Sequence, residues 1–311
     1  MSVGPAADLA PPAPAPVPNL VAQVAECVRS GECTLFLGAG VHALPPPGCA
    51  YAYAEAEAPP RGADLARRLA AAFDPADAAI FPDTGDLRRV ALYYEHVAFD
   101  RARLVQALLG AVQENKRPSP MLRALAELPF THVITTNYDS LLERALAAAN
   151  KDVEVSVYSA TRAVSKPPSR KVGAQRPFLL KIHGDFEHEG PQPDAQSIVI
   201  TEEDYINFVL RMRDADELNP VPLPVRARLA QYPTLFVGYS LSDYNLRILF
   251  RALRYTGDWL GQPFSFSVDP SPSPVIRKLM TDEYQIVYVT EDLWSFVPAL
   301  YRAVLNKELA P

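Results

Sequence analysis

From Asn19 onward, short apolar runs alternate with longer stretches in which apolar residues recur every three or four positions. The runs "CTLFL", "THVITT", "FLLKIH", "SIVIT", "PTLFVG", "FSFSV" and "YQIVYV" are five or six residues long and rich in β-branched and aromatic residues. That pattern predicts strands buried on both faces. "VEVSVY" alternates apolar with polar residues and predicts one more strand. The stretches between them, such as "DSLLERALAAA", "EEDYINFVLRMR", "LSDYNLRILFRALR", "PSPVIRKLM" and "DLWSFVPALYRAVL", have helical spacing. Buried strands alternating with helices predict an α/β fold, a Rossmann-like parallel sheet with helices on both faces. Between the first two strands, "ADLARRLAAAF", "DLRRVALYYEHVAF", "RARLVQALLGAVQ" and "MLRALAEL" predict an inserted helical layer over about residues 60–128. The opening "MSVGPAADLAPPAPAPVP" is Pro/Ala-rich and has too little side chain to bury, so residues 1–18 are expected to form a flexible tail. Folded structure is expected over 19–311, from a helix "NLVAQVAECVRSG" with Asn19 as its cap and Gly31 at its end.

Composition narrows the function classes. A hydrophobic content of 49% supports a full core, and a net charge of -6 argues against broad binding to a nucleic acid backbone. The three cysteines, Cys27, Cys33 and Cys49, form no C-x-x-C pair, so neither a disulfide framework nor a zinc site is expected. No secretory signal or membrane span is visible, and a cytoplasmic location is the expectation.

In a parallel sheet, ligands bind where the strands end. After the first strand comes "GAGV", Gly38 to Val41, where bare backbone serves either a phosphate or a plain turn. The full dinucleotide fingerprint is absent, because Ala43 stands where its third glycine is due. After the second strand comes "TTNYDS", with Asn137 in the turn and Asp139 or Ser140 placed to cap the next helix. "FLLKIH" ends on His183, followed by Gly184; a histidine there can bond a hydroxyl and accept its proton. His42 falls in the glycine loop, and His96 lies in a helical pattern. "PTLFVG" leads to Gly238, Tyr239, Ser240 and Asp243, and "FSFSV" leads to Asp269. Glu291 and Asp292 are placed to cap the last helix. The loop "ATRAVSKPPSRKVGAQRP" (160–177) holds Arg162, Lys166, Arg170, Lys171 and Arg176 without an acid. It reads either as a solvated surface or as a contact for phosphate or an acidic partner.

Taken in order, strand–GAG, strand–T-x-N-x-D, strand–HG and strand–G-x-S-L resemble the sirtuin superfamily. The wording "VGYSLSD" and "TTNYD" is similar to the sirtuin-like domains of bacterial defence proteins, over roughly residues 30–295. The resemblance implies that NAD is bound as a substrate. Gly38, Ala39, Gly40 and Val41 would hold its phosphates. Asn137 and Asp139 would surround the nicotinamide ribose, and His183 would be the general base. Gly238, Ser240 and Asp269 would lie along the adenosine half. Deacylating sirtuins carry zinc-binding cysteine pairs between the HG and G-x-S strands; this chain has no cysteine there, and no metal is expected. His42 also follows Val41 where the family usually has serine. Without the zinc module that helps form the acyl-peptide groove, the resemblance implies hydrolysis of NAD to nicotinamide and ADP-ribose in anti-phage defence. The alternatives are a protein deacylase or ADP-ribosyltransferase, and a non-catalytic NAD- or ADP-ribose-binding assembly module. Control is implied through a homo-oligomer or a separate protein, such as a HerA-type ATPase or a short Argonaute.

Overall fold

A computed structural model describes residues 19–74, 76, 84–160, 166–186, 198–212, 219–239 and 264–311. Its centre is a seven-stranded, all-parallel sheet of β1 (Thr34–Leu37), β2 (His132–Thr135), β3 (Glu154–Val157), β4 (Phe178–Lys181), β5 (Thr234–Val237), β6 (Ser265–Val268) and β7 (Ile286–Val289). The strand order is β3-β4-β2-β1-β5-β6-β7. From β1 the chain passes to β2, then to the edge at β3, places β4 between them, and returns to start the other side at β5. In register, Leu37 pairs with both Thr135 and Val237, so the turns after β1, β2 and β5 lie at one level.

Successive residues on a strand face opposite sides, and the core divides accordingly. Leu35 and Leu37 face one cluster, together with Val133 and Leu235 of the neighbouring strands. It is covered by α1 (Leu20–Arg29), α5 (Pro120–Glu127), α6 (Leu141–Ala148) and α10 (Leu293–Leu305). Phe36 faces the other cluster, with Phe236 and Leu180, under α7 (Glu202–Arg211), α8 (Leu223–Gln231) and α9 (Pro274–Tyr284). Helices therefore cover both faces, as the alternation of runs predicts. The caps match the sequence: Asn19 accepts from the Ala22 N–H (3.2 Å), and Asp292 accepts from Trp294 and Ser295 (2.7 and 3.0 Å). Each such cap contributes about 1 kcal/mol.

Between β1 and β2 lie α2 (Gly62–Ala70), α3 (Leu87–Tyr93), a π-helical turn (Tyr94–Ala98) and α4 (Arg101–Gln113), followed by α5. The first four share a third cluster around Leu69, Val90 and Leu104, which also takes in Phe186, Ile198 and Ile200. α5 belongs instead to the sheet layer, where its Met121 and Leu125 are buried.

Within "SIVIT", the described residues Ile198 to Thr201 are not a strand. Its backbone groups find other partners: Val199 N–H donates to the His183 carbonyl (3.0 Å), and the Ile198 carbonyl accepts from the Arg101 guanidinium (2.6 Å). The Val199 carbonyl accepts from Tyr138 Oη (2.6 Å), and the Ile200 N–H donates to Asp204 (3.1 Å). Its apolar side chains are buried as a strand's would be, so periodicity alone does not separate the two. The helix expected from "LSDYNLRILFRALR" and part of the basic loop, including Arg162, lie outside the described residues. Within that loop, Arg176 pairs with Asp152 and Glu154, which offsets its charge.

Candidate functional site

The order of the sheet reverses between β1 and β5, and their turns meet there backbone to backbone. Gly38 N–H donates to the Val237 carbonyl (2.9 Å), and Gly40 N–H donates to the Gly238 carbonyl (3.0 Å). A Cβ on Gly38 would stand 2.6 Å from the Gly238 carbonyl oxygen, and one on Gly40 would stand 2.8 Å from it. Gly238 has φ +76°, and a Cβ there would strike the Val41 nitrogen. All three glycines are therefore required by contact between two protein loops. The Gly38 and Gly40 N–H groups are already used within the protein. Ala39 is exposed, while Val41 is fully buried in the core. Beyond Val41, the loop is held by Ser119, which donates to the Val41 carbonyl (2.8 Å) while capping α5, and by Trp294 Nε1, which donates to the Ala43 carbonyl (3.2 Å).

The turn after β2 is built from its own side chains. Thr135 Oγ1 donates to the Leu37 carbonyl (2.9 Å) and accepts from the Asn137 N–H (3.0 Å). Thr136 bonds the hydroxyl of Tyr239 (2.5 Å), whose ring stands edge-on to Phe36 (5.3 Å). Asp139 is buried and accepts from the Leu141 N–H (3.0 Å), so it, rather than Ser140, supplies the side-chain bond at the start of α6. The half-buried Asn137 side chain has no hydrogen-bond partner among the described residues.

Thr135 pairs in register with Lys181, and Asn137 and His183 each follow two residues later. Neighbouring strands thus bring the two predicted groups to the same edge. His183 precedes Gly184, which turns the chain at φ +87°. Its ring stands edge-on to Phe208 (5.3 Å) and Tyr205 (5.7 Å). Its Nε2 is sealed from solvent and has no hydrogen-bond partner among the described residues. Burial pushes the imidazole down to about 3, so it is neutral at pH 7. A buried, unpaired ring nitrogen is costly unless something bonds it.

Beneath this edge lies a group with no counterpart in the predicted site. Lys181 is fully buried, and its Nζ reaches the Asp139 carbonyl (2.7 Å), Glu143 Oε1 (2.9 Å) and Asp185 Oδ2 (2.8 Å). Burial disfavours its charge, but the facing Glu143 and Asp185 outweigh that and hold the ammonium above its usual value. One ammonium thereby ties the turns after β2 and β4 together. The signal was a lysine inside the strand run "FLLKIH", flanked by the apolar Leu180 and Ile182.

His42 is also buried, with Nδ1 3.5 Å from the Tyr53 hydroxyl and Nε2 sealed without a partner among the described residues. Burial lowers its basicity, and nearby Asp139 partly restores it. The inserted helices close over the β2–β4 side. Arg101 bonds Glu95 and Asp204 (2.8 Å each), and Tyr138 packs on Phe186 (5.7 Å).

Gly38 to Val41, Gly238, Asn137 and Asp139 are brought together at the ends of β1, β2 and β5, with His183 next to them after β4. Asp269 follows β6, two strands from β1, and its carboxylate accepts from the Ser271 N–H (3.0 Å). Ser240, Asp243 and His188 lie outside the described residues. His96 is exposed on the π-helical turn. Among the described residues, no group of three or more His, Cys, Asp or Glu is arranged to hold a metal ion, and no helix is long and apolar enough to cross a membrane.

Comparison with known proteins agrees with this architecture. The model of the SIR2-like domain family matches residues 131–289. Defense-associated sirtuin 2 of Bacillus subtilis is 32% identical over 162 residues, which is 51% of this chain and 14% of that protein. NAD(+) hydrolase ThsA of Acinetobacter baumannii is 28% identical over 169 residues (54% of this chain, 31% of that protein). ThsA of Enterococcus faecium is 29% identical over 171 residues (55% and 32%). The matched region thus spans between 14% and 32% of these relatives' length. With a family model matched over half its residues, from β2 to β7, this chain belongs to the SIR2-like domain family.

Proposed function

We propose that the chain is an NAD+ hydrolase that cleaves NAD to nicotinamide and ADP-ribose, as a regulated effector that depletes NAD in bacterial anti-phage defence. The observation that carries this reading is the buried Nε2 of His183, without a hydrogen-bond partner among the described residues, at the strand edge that also holds Asn137. A purely structural histidine has little use for a buried ring nitrogen with no protein partner, and a ribose hydroxyl would supply the partner it lacks; the half-buried Asn137 amide would face the same ligand. The relatives named NAD(+) hydrolase support the substrate class.

In this reaction, the bond between the nicotinamide nitrogen and the ribose carbon breaks, and its electron pair goes to the ring nitrogen. Nicotinamide leaves neutral, so no acid is needed. Water bonds the oxocarbenium-like carbon and loses one proton. Asn137 orients the ribose, with Asp139 fixing the turn that carries it. Neutral His183 accepts a hydrogen bond from a ribose hydroxyl or the water. Its low basicity suffices, because an oxygen newly bonded to that carbon is strongly acidic. Ala39 and the outer face of the Gly38–Val41 turn border the phosphates, while Gly238, Ser240 and Asp269 border the adenosine half. In this reading, residues 19–311 form the catalytic domain with its helical insertion, the active form is a homo-oligomer, and a separate regulatory protein holds or releases it.

The test is nicotinamide release from NAD by the purified chain, beside His183→Ala, over a wide protein-concentration range. Release that disappears in the variant establishes the hydrolase. Release equal to wild type in the variant removes His183 from the mechanism.

A further inference from the structure

A polar cavity lies where the C-terminal end of α4 meets the segment at 55–57 and the first turns of α6. Its volume is about 410 Å³, within the range of small-molecule sites. It is lined by Ala56, Glu57, Gln113, Lys116, Arg117 and Arg144, with Asn115 beside them. Three cations thus face one carboxylate. That carboxylate, Glu57, is committed to Arg117 (3.4 Å). Lys116 and Arg144 have no carboxylate partner among the described residues; they bond only carbonyls, Lys116 Nζ to Ala56 (3.0 Å) and Arg144 Nη1 to Lys116 (2.9 Å). These bonds fix both cations in place without neutralising them. Partial burial, and then the nearby Arg68 guanidinium, lower the basicity of Lys116, as expected where positive charges crowd. Gln113 adds a sealed amide nitrogen with no acceptor among the described residues.

We propose that this cavity binds a phosphate-bearing small molecule of about nucleotide size. Lys116 and Arg144, held by carbonyls and without a carboxylate partner among the described residues, supply the charge-assisted donors that phosphate oxygens require. A concave site of this volume favours a compact ligand over an extended nucleic acid backbone. The cavity is distinct from the His183 edge, but it shares a wall with the loop after β1. Tyr53 donates to the Arg117 carbonyl (2.9 Å) and lies 3.5 Å from His42 Nδ1. An anion drawn onto Lys116 and Arg117 therefore bears on the residue that backs the glycine turn.

The experiment is calorimetric titration of the full chain with pyrophosphate and with AMP, at low salt and at about 0.15 M salt, where a Debye length is ~8 Å. The expected result is saturable binding that persists at the higher salt and weakens about tenfold or more in Lys116→Gln/Arg144→Gln. Those substitutions keep the stems, and an unchanged thermal transition reports an intact fold. Absence of saturable binding, binding lost on adding salt, or variants that bind like wild type would overturn the proposal. Preference for a single-stranded oligonucleotide over both probes would overturn it in favour of a nucleic acid surface.

Discussion

The Gly40 N–H donates to the Gly238 carbonyl at 3.0 Å, joining the turns of β1 and β5 where the sheet changes direction. The bond leaves no room for a side chain on either residue. The glycines in "FLGAGVHALP" and "PTLFVGYS" therefore answer to each other before they answer to any ligand.

Gly238→Ala is expected to destabilise the chain by about 2 kcal/mol or more, since φ +76° and the overlap with Val41 both penalise a Cβ. Urea unfolding measures this. A midpoint within error of wild type would mean that the two turns separate at little cost.

Asn137→Ala and His183→Ala are each expected to lower nicotinamide release by about 10²-fold or more, the scale of a lost positioning or acid–base group, with unfolding midpoints near wild type. Loss of activity together with loss of folding in both variants would leave them as structural residues only.

Lys181→Met is expected to cost about 3–5 kcal/mol, because Glu143 and Asp185 then lose the buried cation that faces both. Adding Asp185→Asn should recover part of that loss. If the double variant is no more stable than Lys181→Met alone, the carboxylates do not depend on this lysine. Where the single variant still folds, a fall in kcat at constant KM would identify Lys181 as a positioning residue for the turns above it.

Stability is expected to fall as pH drops below 6.5. Burial pushes His183 down to about 3 and, with the Arg228 charge adding to it, His132 down to about 4. The unfolded chain then binds protons that the folded chain refuses. Each histidine contributes a slope of up to roughly 1.4 kcal/mol per pH unit, ending near pH 4 for His132 and near pH 3 for His183. Urea midpoints from pH 7 to 4 test this. His183→Gln should reduce the slope, leaving what His132 and the buried His42 contribute, and an unchanged slope would mean that the ring is open to solvent.

Much of the fold was legible because buried parallel strands leave a strong mark. "TLFL", "HVIT" and "FLLK" are each confined to a strand, and the caps at Asn19 and Asp292 stand where their side chains announce them. Ile198 to Ile200 were not legible as a loop, since the groups that satisfy their backbone, Arg101 and Tyr138, lie far away in sequence. The positions of Asn137 and His183 followed from the rule for strand ends, but the reason for the glycines did not. It depends on β5 returning beside β1, and no local pattern encodes that adjacency.

The central strand carries a practical consequence. β1 pairs with both β2 and β5, yet it lies outside the stretch matched by the family model, which starts at residue 131. A fragment excised at that boundary would keep six strands and lose the one that joins them, leaving two separate three-stranded halves. The recognisable portion of this chain is thus not a portable module. Any transplant into another protein has to carry the segment from Leu20 onward to bring the site along intact.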